Sequence, residues 1–168
     1  MPVDDHSHTI SLTTPTQAHE MEVVRDIFRE YAGTLDLDLS FQSFEEELNT
    51  LPGEYARPRG EILLAYVDGS LAGCCALRPL DSVDYSNAAE MKRLYVRPQF
   101  RRFGLGRALT EATLDAARLL GYQHVLLDTL DDMEAARTLY DELGFVAIPP
   151  YYYNPHAGAH YLMASLRH

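Results

Sequence analysis

The spacing of hydrophobic and polar positions alternates between two periods along the chain. Within residues 18–31, Met21, Val24, Ile27, Phe28 and Tyr31 recur three and four apart, which predicts an amphipathic helix. Residues 40–51 predict a second helix, with Ser43 placed to cap it, Glu46 three residues on and Pro52-Gly53 to stop it. Residues 61–67 and 70–77 read as strands joined by Asp68-Gly69, a dipeptide suited to a tight hairpin turn, and Arg78-Pro79 closes the second. A polar stretch follows, and residues 90–96 form a further strand ended by Arg97-Pro98. Leu105, Ala108, Leu109, Ala112, Ala116, Leu119 and Leu120 return to the helical period, with Gly121 at the C-terminal cap position. A short strand at 124–128, a helix at 132–143 capped by Gly144, and strands at 145–148 and 159–166 complete the chain, with a short strand at 9–13 preceding everything.

The predicted order is β-α-α-β-β-β-α-β-α-β-β. A hairpin leading into a strand–helix–strand crossover predicts an α/β (α+β) fold with a mixed, mostly antiparallel sheet and helices on both faces. With 168 residues and no repeat or linker, the reading is a flexible segment at 1–7 and one domain at 8–168. Cys74 and Cys75 are adjacent, so in a strand they point to opposite faces and read as small buried hydrophobes in a reducing compartment. No apolar run approaches bilayer length and the first residues carry no secretory pattern, so a cytoplasmic protein without membrane association is expected. No Cys/His spacing suggests a metal site.

Charge changes this picture in one place. The net charge of −11 argues against general nucleic-acid binding. Yet six of the fourteen basic residues lie between Lys92 and Arg107, uninterrupted by any acid. A local positive patch on an acidic chain points to a specific anionic ligand. Its centre is Arg101-Arg102-Phe103-Gly104-Leu105-Gly106-Arg107, set between a strand and a helix. Helix N termini offer unpaired N–H groups and the positive end of the macrodipole, and glycines let a phosphate approach the main chain. A dinucleotide fold is the natural rival, with Asp128 imitating its acidic residue. Against it stand Leu109 at the third glycine position, the delayed loop and the preceding hairpin. Without Gly-Lys-Ser/Thr the loop is no P-loop.

Arg101-x-x-Gly104-x-Gly106 resembles the Gln/Arg-x-x-Gly-x-Gly/Ala signature of the GCN5-related N-acetyltransferase (GNAT) family. Leu94-Tyr95-Val96-Arg97-Pro98 and Ala136-x-x-Leu139-Tyr140-x-x-x-Gly144-Phe145 are similar to that family too, in the same order and spacing. The resemblance spans about residues 61–166, and the two N-terminal helices fit its topology. It implies acetyl-CoA as cosubstrate, its pyrophosphate on the amides of residues 102–107 and its pantetheine arm paired to Leu94, Tyr95 and Val96. The activity it implies is acetyl transfer to a primary amine of a small molecule by direct attack.

Such transfer requires a neutral amine, a polarised thioester carbonyl and a proton for the departing thiolate. The resemblance implies a carboxylate base on the strand before the loop, where Glu90 stands; the alternative for Glu90 is a solvated residue at a strand entry. Lys92 and Leu94 are expected on its face. Tyr140 matches the family tyrosine near the coenzyme sulfur, the alternative being a core aromatic. The family asparagine seven positions earlier is replaced by Met133, and Asp131 or Asp132 substitutes for it only in part. Arg78 can bind an acceptor carboxylate or serve in an ion pair. Tyr152, within Tyr151-Tyr152-Tyr153-Asn154, can wall an acceptor pocket or a homodimer surface. His156 and His160 lie nearby without metal-ligand spacing. A silent acyl-CoA-binding sensor, a nucleotide module and a protein-lysine acetyltransferase remain alternatives.

Overall fold

The computed structural model describes residues 7–35, 43–130, 134–154 and 158–166. Its elements follow the predicted order: β1 (Ile10–Thr13), α1 (Met21–Thr34), α2 (Phe44–Asn49), β2 (Glu61–Val67), β3 (Ser70–Pro79), β4 (Ala88–Val96), α3 (Leu105–Leu119), β5 (His124–Leu130), α4 (Glu134–Glu142), β6 (Val146–Ala147) and β7 (Ala159–Ser165). Short 3-10 turns at Ala18–Glu20, Gly53–Tyr55 and Pro98–Phe103 precede α1, β2 and α3. The strands form one sheet in the order β1-β2-β3-β4-β5-β7-β6. Among the described residues only β4 and β5 pair in parallel; α3 is the crossover between them.

Two apolar layers cover the sheet. Leu105, Leu109, Leu114 and Ala117 of α3, with Tyr140 of α4, pack on one face against Cys75, Met91 and Leu127. On the other face, Val24, Ile27 and Phe28 of α1 and Phe44 and Leu48 of α2 pack against Ile62, Leu64 and Cys74. Phe28 and Ile27 are wholly buried, each worth about 1.5–3 kcal/mol of transfer free energy. Cys74 and Cys75 thus face opposite layers, both buried and unbridged, as strand alternation requires.

Several boundaries differ from the sequence reading. Residues 36–42 and 131–133 lie outside the described residues, and with them the start of the second predicted helix, Asp131, Asp132 and Met133; His156 does too. Ser43 does not cap α2: its φ is 55° and its side chain makes no cap hydrogen bond. Arg78 and Pro79 do not close β3 but extend it, Arg78 standing opposite Glu90 and Pro79 opposite Ala89. Leu94 does not share the face of Glu90 and Lys92. A β-bulge intervenes, since β3–β4 register jumps between Cys74/Tyr95 and Ala76/Lys92, and Arg93 takes a φ of 63°. One extra residue in β4 inverts the alternation, so Leu94 and Val96 join Met91 on the α3 side while Tyr95 turns to α1.

Candidate active site

β4 and β5 pair only from Ala88/His124 to Glu90/Leu126. Beyond Glu90 the two strands remain in the sheet without pairing to one another, so the parallel ladder opens into a cleft. A strand edge inside a cleft exposes main-chain donors and acceptors that an extended ligand can pair with. The bulge at Arg93 lies just past the opening. Leu94, Tyr95 and Val96 continue β4 beyond it. Their side chains do other work: Tyr95 donates to Glu30 at 2.8 Å, and Leu94 and Val96 pack beneath α3.

The turn from β4 brings the chain to the start of α3. Gly104 is the N-cap residue at φ 69°, a left-handed conformation that a β-carbon disfavours. No side chain caps this end, and, unlike α1 and α2, it has no acid in its first turn. Its first N–H groups therefore present an uncompensated positive terminus. Gly106 follows within the helix. A β-carbon there would meet only Leu139 Cδ2, at 3.7 Å, so packing within the chain does not demand glycine. The open ground before Gly106 instead fits a phosphate drawn onto the main chain.

The surrounding arginines are oriented by the loop itself. Arg101 Nε donates to the Val96 carbonyl at 3.1 Å, and Arg102 Nη1 to that of Gln99 at 3.1 Å, its guanidinium lying over the Phe103 ring. Arg107 pairs with Glu142 of α4, and Leu105 is buried in the core beneath. These contacts bring α4 beside the start of α3. Tyr140 of α4 is buried edge-on against Phe145, 5.4 Å between ring centroids, and burial pushes its phenol above the ordinary range.

On the α1/α2 side of the opening, Glu90 is 1% exposed and not solvated. Cross-strand register sets Arg78 against it: Nε donates to Oε1 at 2.8 Å, and Nη2 lies 2.7 Å from the same oxygen. Tyr151 Oη donates to Oε2 at 2.7 Å. Burial works to raise the Glu90 carboxyl, but Lys92, Arg78 and Tyr151 outweigh it and hold it below the ordinary carboxylate value. Burial lowers the neighbouring Lys92 ammonium, Glu90 opposing the shift. Arg78, 28% exposed, also donates through Nη1 to Glu54 at 2.7 Å. All three guanidinium nitrogens thus serve carboxylates of the chain.

A pocket of about 220 Å3 is lined by Arg78, Leu80, Glu90, Lys92, Tyr151 and Tyr152, among others. Three residues chosen from sequence, Arg78, Glu90 and Tyr152, therefore meet at one place. Glu90 is both a wall of this pocket and the last β4 residue paired to β5, so the pocket borders the point where the strands part. Tyr152 Oη donates to Asp128 at 2.6 Å, as does Asn154 Nδ2 at 3.2 Å, while Tyr151, Tyr152 and Tyr161 stack mutually edge-on or tilted. The sequence reading missed Tyr151 as the Glu90 partner, and it missed Lys92 as a pocket residue. Lys92 was findable, being two positions from Glu90 in a strand. Which tyrosine of the run turns inward was not, because an irregular loop has no period to read.

A hairpin antiparallel to β4 before the loop, and a sheet with one parallel pair, exclude the dinucleotide fold. The class defined is a mixed-sheet fold whose parallel strands part beside an uncapped helix start. The chain matches the model of the acetyltransferase (GNAT) family over residues 21–145 and belongs to that family. It is 35% identical to an uncharacterized N-acetyltransferase of Schizosaccharomyces pombe, over 87% of this chain and 88% of that one. It is 30% identical to an uncharacterized N-acetyltransferase of Dictyostelium discoideum, over 84% and 92%. In fold it is similar to the PaiA N-acetyltransferase of Thermoplasma acidophilum, solved in complex with coenzyme A, with a TM-score of 0.69 at 18% identity over 94% and 99%. The protein is an N-acetyltransferase. Among its described residues no helix is long and apolar enough to cross a membrane.

Proposed function

We propose that the protein moves acetyl from acetyl-CoA to a primary amine of a small molecule, by direct attack with both substrates bound. The observation that carries this reading is the placement of Glu90, at the wall of a small pocket and at the mouth of the β4–β5 opening. Acetyl-CoA supplies an activated acyl group. The α3 start, with Arg101, Arg102, Phe103, Gly104, Leu105, Gly106 and Arg107, holds its pyrophosphate, and the main chain of Leu94, Tyr95 and Val96 pairs with its pantetheine diamide. The thioester then lies near the bulge, facing the pocket.

Glu90 serves the acceptor. Its depressed pKa keeps it ionised at neutral pH, which suits attraction of an ammonium. Each oxygen already accepts hydrogen bonds but retains acceptor capacity. Proton transfer to so weak a base is uphill from a free ammonium. The amine attacks from its neutral fraction, and transfer to Glu90 becomes favourable as the nitrogen bonds to carbon and its remaining protons grow acidic. Arg78 and Tyr151 hold the carboxylate in place, and Tyr152 walls the pocket. Tyr140, kept a neutral phenol by burial, donates to the departing thiolate. A thiol-release assay with acetyl-CoA across amino acids, polyamines, aminoglycosides and peptides tests the reading. Release with a compact amine, and acetylated amine as product, is expected. Binding of acetyl-CoA without release for any amine would make the chain a sensor, and release with peptides alone would make it a protein-lysine acetyltransferase.

A further inference from the structure

Arg93 occupies the bulge of β4 and is 3% exposed, with a φ of 63° that residues bearing a β-carbon adopt only when their surroundings impose it. Those surroundings are specific. Nε donates to Glu47 Oε2 and Nη2 to Glu47 Oε1, each at 2.9 Å, a two-point fork against a carboxylate 14% exposed. Tyr55 Oη donates to Glu47 Oε1 at 2.9 Å, and the Arg93 guanidinium lies 5.2 Å from the centre of the Phe44 ring. The Arg93 carbonyl accepts from Cys74 Sγ at 3.2 Å. Burial works against the charge on Arg93, yet Glu47 overcomes it and the pKa is raised. The helix α2 that carries Glu47 and Phe44 therefore grips the bulge from the acceptor side of the sheet.

The bulge sits where β4 has already parted from β5, in a stretch of β4 that is not paired to β5. Hydrogen-bond donors that polarise an acyl carbonyl act through placement, and a displacement of under an ångström removes most of their effect. We infer that Arg93 and Glu47 are positioning residues for acyl transfer: their buried two-point clamp, braced by Tyr55, holds the β4 bulge so that its main chain can polarise the thioester. The inference rests on the acetyl-CoA reading above. Neither side chain touches the reacting atoms. The clamp's effect therefore belongs in kcat and in the state of the bound carbonyl, not in substrate affinity.

The test uses acetyl-CoA labelled with 13C at the carbonyl, bound to the intact protein, with infrared detection of the carbonyl stretch. In the wild type the band moves to lower frequency than in free acetyl-CoA. In Glu47→Gln and Arg93→Lys it moves back toward the free value and kcat falls about 10- to 100-fold, with acetyl-CoA affinity within about two-fold of wild type. Tyr55→Phe removes one hydroxyl from the brace, keeps the ring in the core and gives a partial shift. A wild-type band at the free frequency overturns the inference. So does an unchanged band and kcat in Glu47→Gln, or in Tyr55→Phe should Glu47→Gln not fold. Failure of the wild type to bind acetyl-CoA at all, seen as no thermal stabilisation, would overturn the underlying reading and the inference with it.

Discussion

Glu90 shows how much a single position can carry. Its cross-strand partner is an arginine, its second oxygen is held by a tyrosine from a distant loop, and it is sealed from water. Glu90→Gln keeps the shape and cannot take a proton. Turnover is expected to fall by about 10²–10⁴, partly recovered at high pH as hydroxide takes over removal of the proton from the attacking nitrogen. A pH–rate profile on both proteins checks this, and a uniform loss at every pH would make Glu90 an orienting group instead. The same carboxylate predicts a stability effect. Its folded pKa lies below the unfolded value, near 4.5, so its contribution is present above about pH 4.5 and is lost as pH falls through the folded pKa. Thermal melts from pH 7 down to 3 should show a shallower acid limb for Glu90→Gln than for wild type. Parallel acid limbs would mean that the ion pair contributes nothing net. At Tyr140, Tyr140→Phe retains the packing against Phe145 and loses the hydroxyl. Turnover is expected to drop about ten-fold with CoA affinity unchanged, and wild-type turnover would assign the residue to the core.

Among elements, the start of α3 combines sequence and function most directly. The strand, two glycines and flanking arginines were legible because helix starts, turns and charge runs are local. Gly106→Glu tests what the second glycine is for. The site has room for a β-carbon, and a carboxylate in the first turn favours the helix dipole. Melting temperature without ligand should therefore stay within a few degrees of wild type, while CoA no longer raises it. Normal stabilisation by CoA would place the phosphates elsewhere. The order of the eleven helices and strands among the described residues was legible for the same local reason. The bulge in β4 was not: strand periodicity assumes one residue per step, and nothing local marks Arg93 as the extra one. Its cause is tertiary, the grip of Glu47 from a helix nearly fifty residues earlier. The Glu90–Tyr151 contact escaped for a similar reason, joining a strand to an irregular loop 61 residues away.

At the scale of the whole molecule, the sheet divides the work between its faces. The α3/α4 side carries the helix start and Tyr140, and the α1/α2 side carries the clamp and the pocket; the opening between β4 and β5 joins them. A ligand spanning that opening stabilises the native state alone. Acetyl-CoA at about 100 times its dissociation constant should add about 2.7 kcal/mol. NAD at equal concentration should add far less, and a larger shift with NAD would contradict the site. The most direct measurement is an amide-resolved NMR titration of the uniformly 15N-labelled protein with CoA. The largest shifts are expected at Arg102, Gly104, Gly106 and Arg107 and along Leu94, Tyr95 and Val96. Little should change around Arg59 and Tyr122, which line a pocket at the other end of the sheet. Saturable shifts centred on Arg59 and Tyr122, with the amides of Gly104 and Gly106 unmoved, would contradict it.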